Sequence, residues 1–170
     1  HVQGVGKYKN RATGIASTAG KFSSAFAKAS EVYKTIDPKF SAYLLTKAKD
    51  AFAYGLKNPG ACQTAPCKAP FFYEEDNWVD DMELAAVQLY KNTTSKEYLS
   101  DAVNFGNQEP TTPWLGADTA RHYEWFPFVN LGHYIVADNS KEHSEEFIAH
   151  LREGIDKVYS LADVRWDFLE

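Results

Sequence analysis

Residues 31–40 read Glu31-Val-Tyr-Lys-Thr-Ile-Asp-Pro-Lys-Phe40. Asp37-Pro38 ends one helix and begins another. Proline lacks the N–H that a helix interior needs but fits the first helical turn, and an aspartate before it can accept hydrogen bonds from the exposed amides. Upstream, apolar residues fall at Ala19, Phe22, Ala25, Phe26, Ala29, Val32, Tyr33 and Ile36, the roughly 3.6-residue period of an amphipathic helix. Downstream, the pattern continues through Phe40, Leu44, Ala48, Ala51 and Phe52 until Asn58-Pro59-Gly60 breaks it,. Two helices joined by a short polar turn make a hairpin.

The unit recurs in Gln88-Leu-Tyr-Lys-Asn-Thr-Thr-Ser-Lys-Glu97 and Gly132-His-Tyr-Ile-Val-Ala-Asp-Asn-Ser-Lys141. A third helix carries Val79, Met82, Ala85, Ala86, Leu89 and Tyr90. Thr94 and Glu97 have the spacing of a capping box for a fourth, through Tyr98, Leu99, Ala102 and Phe105,. A fifth is expected from near Pro127 through Val129, Leu131 and Ile135. Asn139 and Glu142 predict the next cap, and Phe147, Leu151, Ile155, Val158 and Tyr159 the sixth helix. No segment alternates with period two over a useful length. The predicted class is therefore all-α: three successive antiparallel hairpins in one domain over residues 1–170, with no internal boundary. The intervals between Tyr33, Tyr90 and Tyr134 exceed a tetratricopeptide unit, which favours a toroid or barrel of hairpins over that solenoid.

The connections between hairpins, Gly60–Asp76 and Asn107–Tyr123, run to about fifteen residues, a length that in compact domains usually serves function. Both are ring-rich, with Phe71, Phe72, Tyr73 and Trp78 in or beside the first and Trp114, His122, Tyr123 and Trp125 in or beside the second. Short turns within pairs and long ones between them predict both connections on one face. Aromatics make up 15% of the 170 residues, which leaves rings for a binding surface as well as a core.

Composition narrows the function. Net charge is −5 with the two signs interspersed, so there is no basic stripe for nucleic acid. No run approaches the roughly 18 apolar residues of a membrane span. The chain starts at His1 without a signal-peptide pattern, as a processed, tagged or excised start would. Cys62 and Cys67 could close a small disulfide loop, stay as two thiols or, least well supported, bind metal. No nucleophile elbow, cysteine-hydrolase signature or phosphate loop is present; Gly4-Val5-Gly6 is too short and precedes no strand,.

The stretch Tyr73-Glu-Glu-Asp-Asn-Trp-Val-Asp-Asp-Met-Glu-Leu-Ala-Ala-Val-Gln-Leu-Tyr90, with the Ser95-Lys-Glu-Tyr-Leu99 restart, resembles the family-nine glycoside hydrolases. These are cellulases built as a barrel of six helical hairpins. Ala16-Ser-Thr-Ala-Gly20, Ala29 to Pro38, Ala48 to Pro59 and, more weakly, Trp125 to Gly132 follow in the family's order. The resemblance implies about half of the six-hairpin (α/α) barrel and a secreted protein, periplasmic or extracellular. The parent would cut β-1,4-glucan by inversion, with one carboxylic acid protonating the glycosidic oxygen and one carboxylate activating water. The family's Asp-Ala-Gly-Asp element, and its late acid Glu with the His-x-Arg motif before it, are not matched in the stretches that carry the resemblance. The expectation is thus a central piece with no catalytic residue of its own, inactive alone. Its partners would be a β-glucan oligo- or polysaccharide and the rest of the barrel, or a second copy.

Phe71, Phe72, Tyr73, Trp78, Arg121, His122, Tyr123 and Trp125 are the candidate substrate contacts. Rings stack on the C–H faces of pyranoses and polar neighbours bind hydroxyls; the alternative for the rings is loop packing. Glu74, Glu75, Asp76, Asp80 and Asp81 crowd a helix N-terminus, where the dipole favours acids. No cofactor is expected; calcium is the alternative that such a cluster of oxygens could take. His133, His143 and His150 lack partners at ligand spacing and read as structural or exposed. Two other readings stay open: a non-catalytic hairpin module that binds glycan or protein through the aromatic loops, and a helical-barrel enzyme of another chemistry.

Overall fold

The computed structural model describes residues 12–62, 77–111 and 131–165. Six helices occur among them: α1 (Ala16–Tyr33), α2 (Pro38–Lys57), α3 (Val79–Thr93), α4 (Lys96–Gln108), α5 (Leu131–Asn139) and α6 (Ser144–Arg165). Strands are absent among the described residues.

Asp37 ends the first hairpin turn as its sequence requires. Its side chain accepts from the amides of Lys39 (3.1 Å) and Phe40 (3.0 Å), and Pro38 takes the first helical position. The two helices close on each other through small residues. Ser30 and Ser41 exchange hydroxyl-to-carbonyl hydrogen bonds at 2.9 and 2.8 Å, and the Ser23 hydroxyl donates to the Ala48 carbonyl at 2.8 Å. At the other end of α1 the first amides are satisfied by carbonyls of the α2 exit rather than by a capping side chain. Ile15 N–H donates to Asn58 O at 3.1 Å and Ser17 N–H to Gly60 O at 3.3 Å. Gly60 has a φ of +125°, and a Cβ there would meet the backbone of Gly14 and Thr13 at 2.5 and 2.6 Å, so only glycine fits this crossing,.

α1 buries a different face from the one its large residues suggested. Ala16, Ala19, Gly20, Ser23, Ala27 and Ser30 point into the bundle, whereas Phe22, Val32, Tyr33 and Ile36 are exposed. A small-residue stripe lets backbones approach, and here it wins over the large apolar one. The Asp81 backbone carbonyl would lie 2.7 Å from a Cβ at Gly20.

α3 is the central helix, packed on α1, α2, α4 and α5. Its run from Met82 to Leu89 is buried almost all round, apart from the half-buried Leu84. The core joins Phe52 of α2, Ala102 and Phe105 of α4, Ile135 and Val136 of α5 and Phe147 of α6 around it. α1, α3 and α5 run side by side in the same direction: Lys21 near the start of α1 meets Asp81 near the start of α3, and Glu83 of α3 meets His133 near the start of α5. Each is paired with an antiparallel partner, α2, α4 or α6. The short turns at 34–37, 94–95 and 140–143 therefore lie toward one end, and the described ends of the long connections lie toward the other.

Two predicted caps do not form. Thr94 is the left-handed C-cap of α3 (φ +57°), its N–H donating to Tyr90 O, so it is unavailable to start α4; Ser95 takes that place without a side-chain cap. Asn139 is the last residue of α5, where its side-chain amide donates to Ile135 O, and α6 opens instead with the His143 N–H on Ser140 O. Of the expected α6 stripe, Phe147 is fully buried, while Ile155 and Tyr159 are 67% and 73% exposed.

Candidate functional site

The ends of α2 and α4 and the starts of α3 and α5 gather where the long connections leave the bundle. Asn77 organises the start of α3. Its side-chain oxygen accepts from the amides of Trp78 (2.7 Å) and Val79 (3.2 Å), and its amide nitrogen donates to both carboxyl oxygens of Glu109 at 2.8 and 2.9 Å. Glu109 is the C-cap of α4. Burial, with the charges of Asp80 and Glu83 adding to it, pushes its carboxyl up to about 8 against the Asn77 hydrogen bonds and the His133 charge, which lower it,.

One turn into α3, Glu83 is buried at 1% exposure. Both its oxygens face Nδ1 of His133, at 2.7 and 2.9 Å. On the other side of the ring, Nε2 lies 3.1 Å from Glu109 O and 3.2 Å from Pro110 O. Carbonyl oxygens only accept, so Nε2 carries a hydrogen, and a second proton lies between Nδ1 and the carboxylate. Burial alone would lower the His133 value, but the hydrogen bond and charge of Glu83 and the two carbonyls outweigh it and hold it above 6.5. Gly132 makes room for this pair: a Cβ there would meet Glu83 Cδ at 2.7 Å. His150 follows on α6, its ring 5.5 Å from that of His133, with Nε2 2.9 Å from Asn107 Oδ1. Burial and then the His133 charge depress it.

Glu109, Asp80 and Glu83 thus meet at one corner of packed helix ends, close enough for the two other carboxylates to raise Glu109. Among the described residues no group of three or more His, Cys, Asp or Glu could hold a metal ion. Asp80 and Asp81 occupy the first turn of α3, where Asp81 pairs with Lys21 at 3.0 Å.

A model of the family described as Glycosyl hydrolase family 9 matches residues 3–164. The chain belongs to this family. An endoglucanase of Phaseolus vulgaris is 35% identical over 82 residues, 48% of this chain and 16% of that protein. Endoglucanase 4 of Arabidopsis thaliana is 27% identical over 150 residues, 81% of this chain and 30% of that protein. Among solved structures, an endoglucanase from the termite Nasutitermes takasagoensis superposes with a TM-score of 0.64 at 20% identity, over 83% of this chain and 31% of that one. A catalytic domain from Clostridium thermocellum gives 0.59 at 23% identity, over 82% and 27%. These two likenesses concern the fold, three successive hairpins of a family 9 helical barrel. The chain spans under a third of the length of each of these relatives.

Of the predicted substrate contacts, Trp78 is the one within the described residues; Phe71, Phe72, Tyr73, Arg121, His122, Tyr123 and Trp125 lie outside them, as do Glu74, Glu75, Asp76 and Cys67. Trp78 stands at the start of α3, half-buried, with its ring edge-on to Phe105 at 6.0 Å. Cys62 is buried, and its N–H donates to the Ser17 hydroxyl at 2.9 Å. Sequence reasoning left His133 without a partner and missed Glu83, Asn77 and Glu109. Glu83 did carry a signal: an acid within a continuous apolar helix run must be paired or neutral.

Proposed function

We propose that this chain forms part of the substrate cleft of a secreted cellulase-type hydrolase that cuts β-1,4-glucan by inversion, the two catalytic carboxylates coming from outside these 170 residues. The observation that carries the reading is family membership over residues 3–164, supported by the convergence of the long-connection ends at one end of the bundle. Five rings, Phe71, Phe72, Tyr73, Trp114 and Tyr123, fall in those connections and Trp78 and Trp125 stand beside them, where they could meet pyranose faces. Phe71, Phe72, Tyr73, Trp78, Arg121, His122, Tyr123 and Trp125 are the residues we assign to contact with sugar. Trp78 can offer only the part of its ring that Phe105 leaves open. A polymeric substrate stays outside the cell, which suits secretion; among the described residues no helix is long and apolar enough to cross a membrane.

The test uses the intact enzyme that contains this chain. Hydrolysis of cello-oligosaccharides followed by NMR should release the α-anomer first, as inversion demands. Tyr73→Ala or Trp125→Ala should weaken oligosaccharide binding by about 1–3 kcal/mol, the range for ring anchors. Unchanged binding with a lower melting temperature would assign those rings to loop packing. A β-configured first product would overturn the mechanism.

A further inference from the structure

His133 is tied on both sides, and the two ties differ in kind. Nδ1 shares a proton with Glu83 of α3, a side chain fully enclosed by protein. Nε2–H reaches the carbonyls of Glu109 and Pro110, the first backbone after α4. No other side chain holds those two carbonyls among the hydrogen bonds of the described residues. The ring is walled by Phe147, edge-on at 5.2 Å, and by His150 at 5.5 Å. The ionisable groups facing it are Glu83, with Asp80 beside it, from α3; the Glu109 carboxyl from the α4 exit; and His150, with Glu146 beyond it, from α6.

We propose that His133 is a positioning residue: held doubly protonated against Glu83, it fixes the backbone where the chain leaves α4, and proton loss at alkaline pH releases this corner before the bundle unfolds. Removing the shared proton leaves two bad arrangements. With hydrogen on Nε2, the Nδ1 lone pair faces a buried carboxylate at 2.7 Å. With hydrogen on Nδ1, the Nε2 lone pair faces two carbonyl oxygens, and the α4 exit loses its holder. The second form keeps the buried carboxylate hydrogen-bonded, so the backbone tie is the one that gives way. Any consequence for turnover rests on the hydrolase reading; the tie itself does not.

Hydrogen–deuterium exchange of the 170-residue chain, corrected for intrinsic rates and compared between pH 6 and 9, reads the corner without any substrate. The background is Glu109→Gln, which removes that carboxyl's own titration from the same place. Peptides over residues 104–111 should lose protection by about tenfold per pH unit once the pair has given up its proton, while peptides from the Ser23–Ala48 contact stay unchanged. Glu83→Gln should keep the corner protected and make it indifferent to pH. A glutamine amide can donate to Nδ1, leaving Nε2–H on its carbonyls and no shared proton to lose. His133→Ala should leave residues 104–111 poorly protected at every pH. If that variant does not fold, the Glu83→Gln comparison decides alone. Protection at 104–111 that is flat with pH, falls in step with residues 23–48, or falls equally in Glu83→Gln overturns the proposal. Failure of the hydrolysis test would leave these results untouched.

Discussion

Replacing Glu109 by glutamine should reverse in sign across the pH range. The Glu109 carboxyl is pushed up to about 8 in the folded protein from an ordinary 4.5, first by burial and then by Asp80 and Glu83. A group whose folded value is raised contributes its stability in full below the unfolded value and loses it as pH climbs through the folded one. The gap between 4.5 and about 8 corresponds to a ceiling of about 5 kcal/mol, at 1.36 kcal/mol per unit. Glu109 keeps some contact with solvent, so about 2–3 kcal/mol is the expected loss between pH 4.5 and 9. Glutamine has no such titration, but it offers Asn77 one oxygen where the acid offers two, a cost of about 1 kcal/mol. Below pH 5 the variant should therefore be slightly less stable than the wild type, and at pH 9 it should be more stable by about 1–2 kcal/mol, once that cost is taken from the 2–3 kcal/mol. Equilibrium urea unfolding of both proteins at several pH values measures the difference directly, and pH effects common to both cancel. A difference that stays constant from pH 4.5 to 9 would mean that the carboxyl is solvated, and the buried-corner argument would fail.

Gly20→Ala should destabilise by about 2 kcal/mol despite a gain of about 1 kcal/mol in helix propensity, because the new Cβ meets the α3 backbone at Asp81, which cannot swing aside,. Gly55→Ala is the control: its nearest neighbour is Met82 Sδ at 2.8 Å, a flexible side chain, so thermal unfolding should place it within about 1 kcal/mol of wild type. Asp37→Ala removes the acceptor of two helix amides and should lower stability by about 1 kcal/mol in the same assay. The exposed Phe22, Ile36, Ile155 and Tyr159 predict that the purified chain associates with itself or with another part of its enzyme. Light scattering that shows a monomer at every concentration would contradict this.

The fold was largely legible because hairpins are written locally. Asp37-Pro38 and Asn58-Pro59-Gly60 act on neighbouring residues, and the helices they bound follow within a few positions. Of the apolar stripe read on the second helix, Leu44, Ala48 and Phe52 are buried, while Phe40 at its start is exposed. The α1 face was misread because hydropathy ranks Phe22 and Val32 above Ser23 and Ser30, whereas close helix approach ranks them the other way. Thr94 fitted a capping box by spacing, yet a two-residue turn left it in the left-handed region at the end of α3.

The buried corner was less legible, and the reason lies in distance along the chain. Glu83 and His133 are 50 residues apart and Asn77 and Glu109 are 32 apart, so no motif contains either pair. Glu83 and His133 are each poorly suited to their own helix: an acid between Met82 and Leu84, a histidine between Gly132 and Ile135 on a short apolar turn. A buried acid demands a partner, and a histidine beside a glycine is a ring with space next to it. Taken together, the two anomalies point at each other, since Gly132 has room for Glu83 and for little else. The sequence thus carried the charge pair as two local violations of helix patterning. What it could not carry was the third participant: the Glu109 and Pro110 carbonyls are backbone atoms, which every residue has. Only packing α5 beside α3 could select those two as what the second ring nitrogen holds.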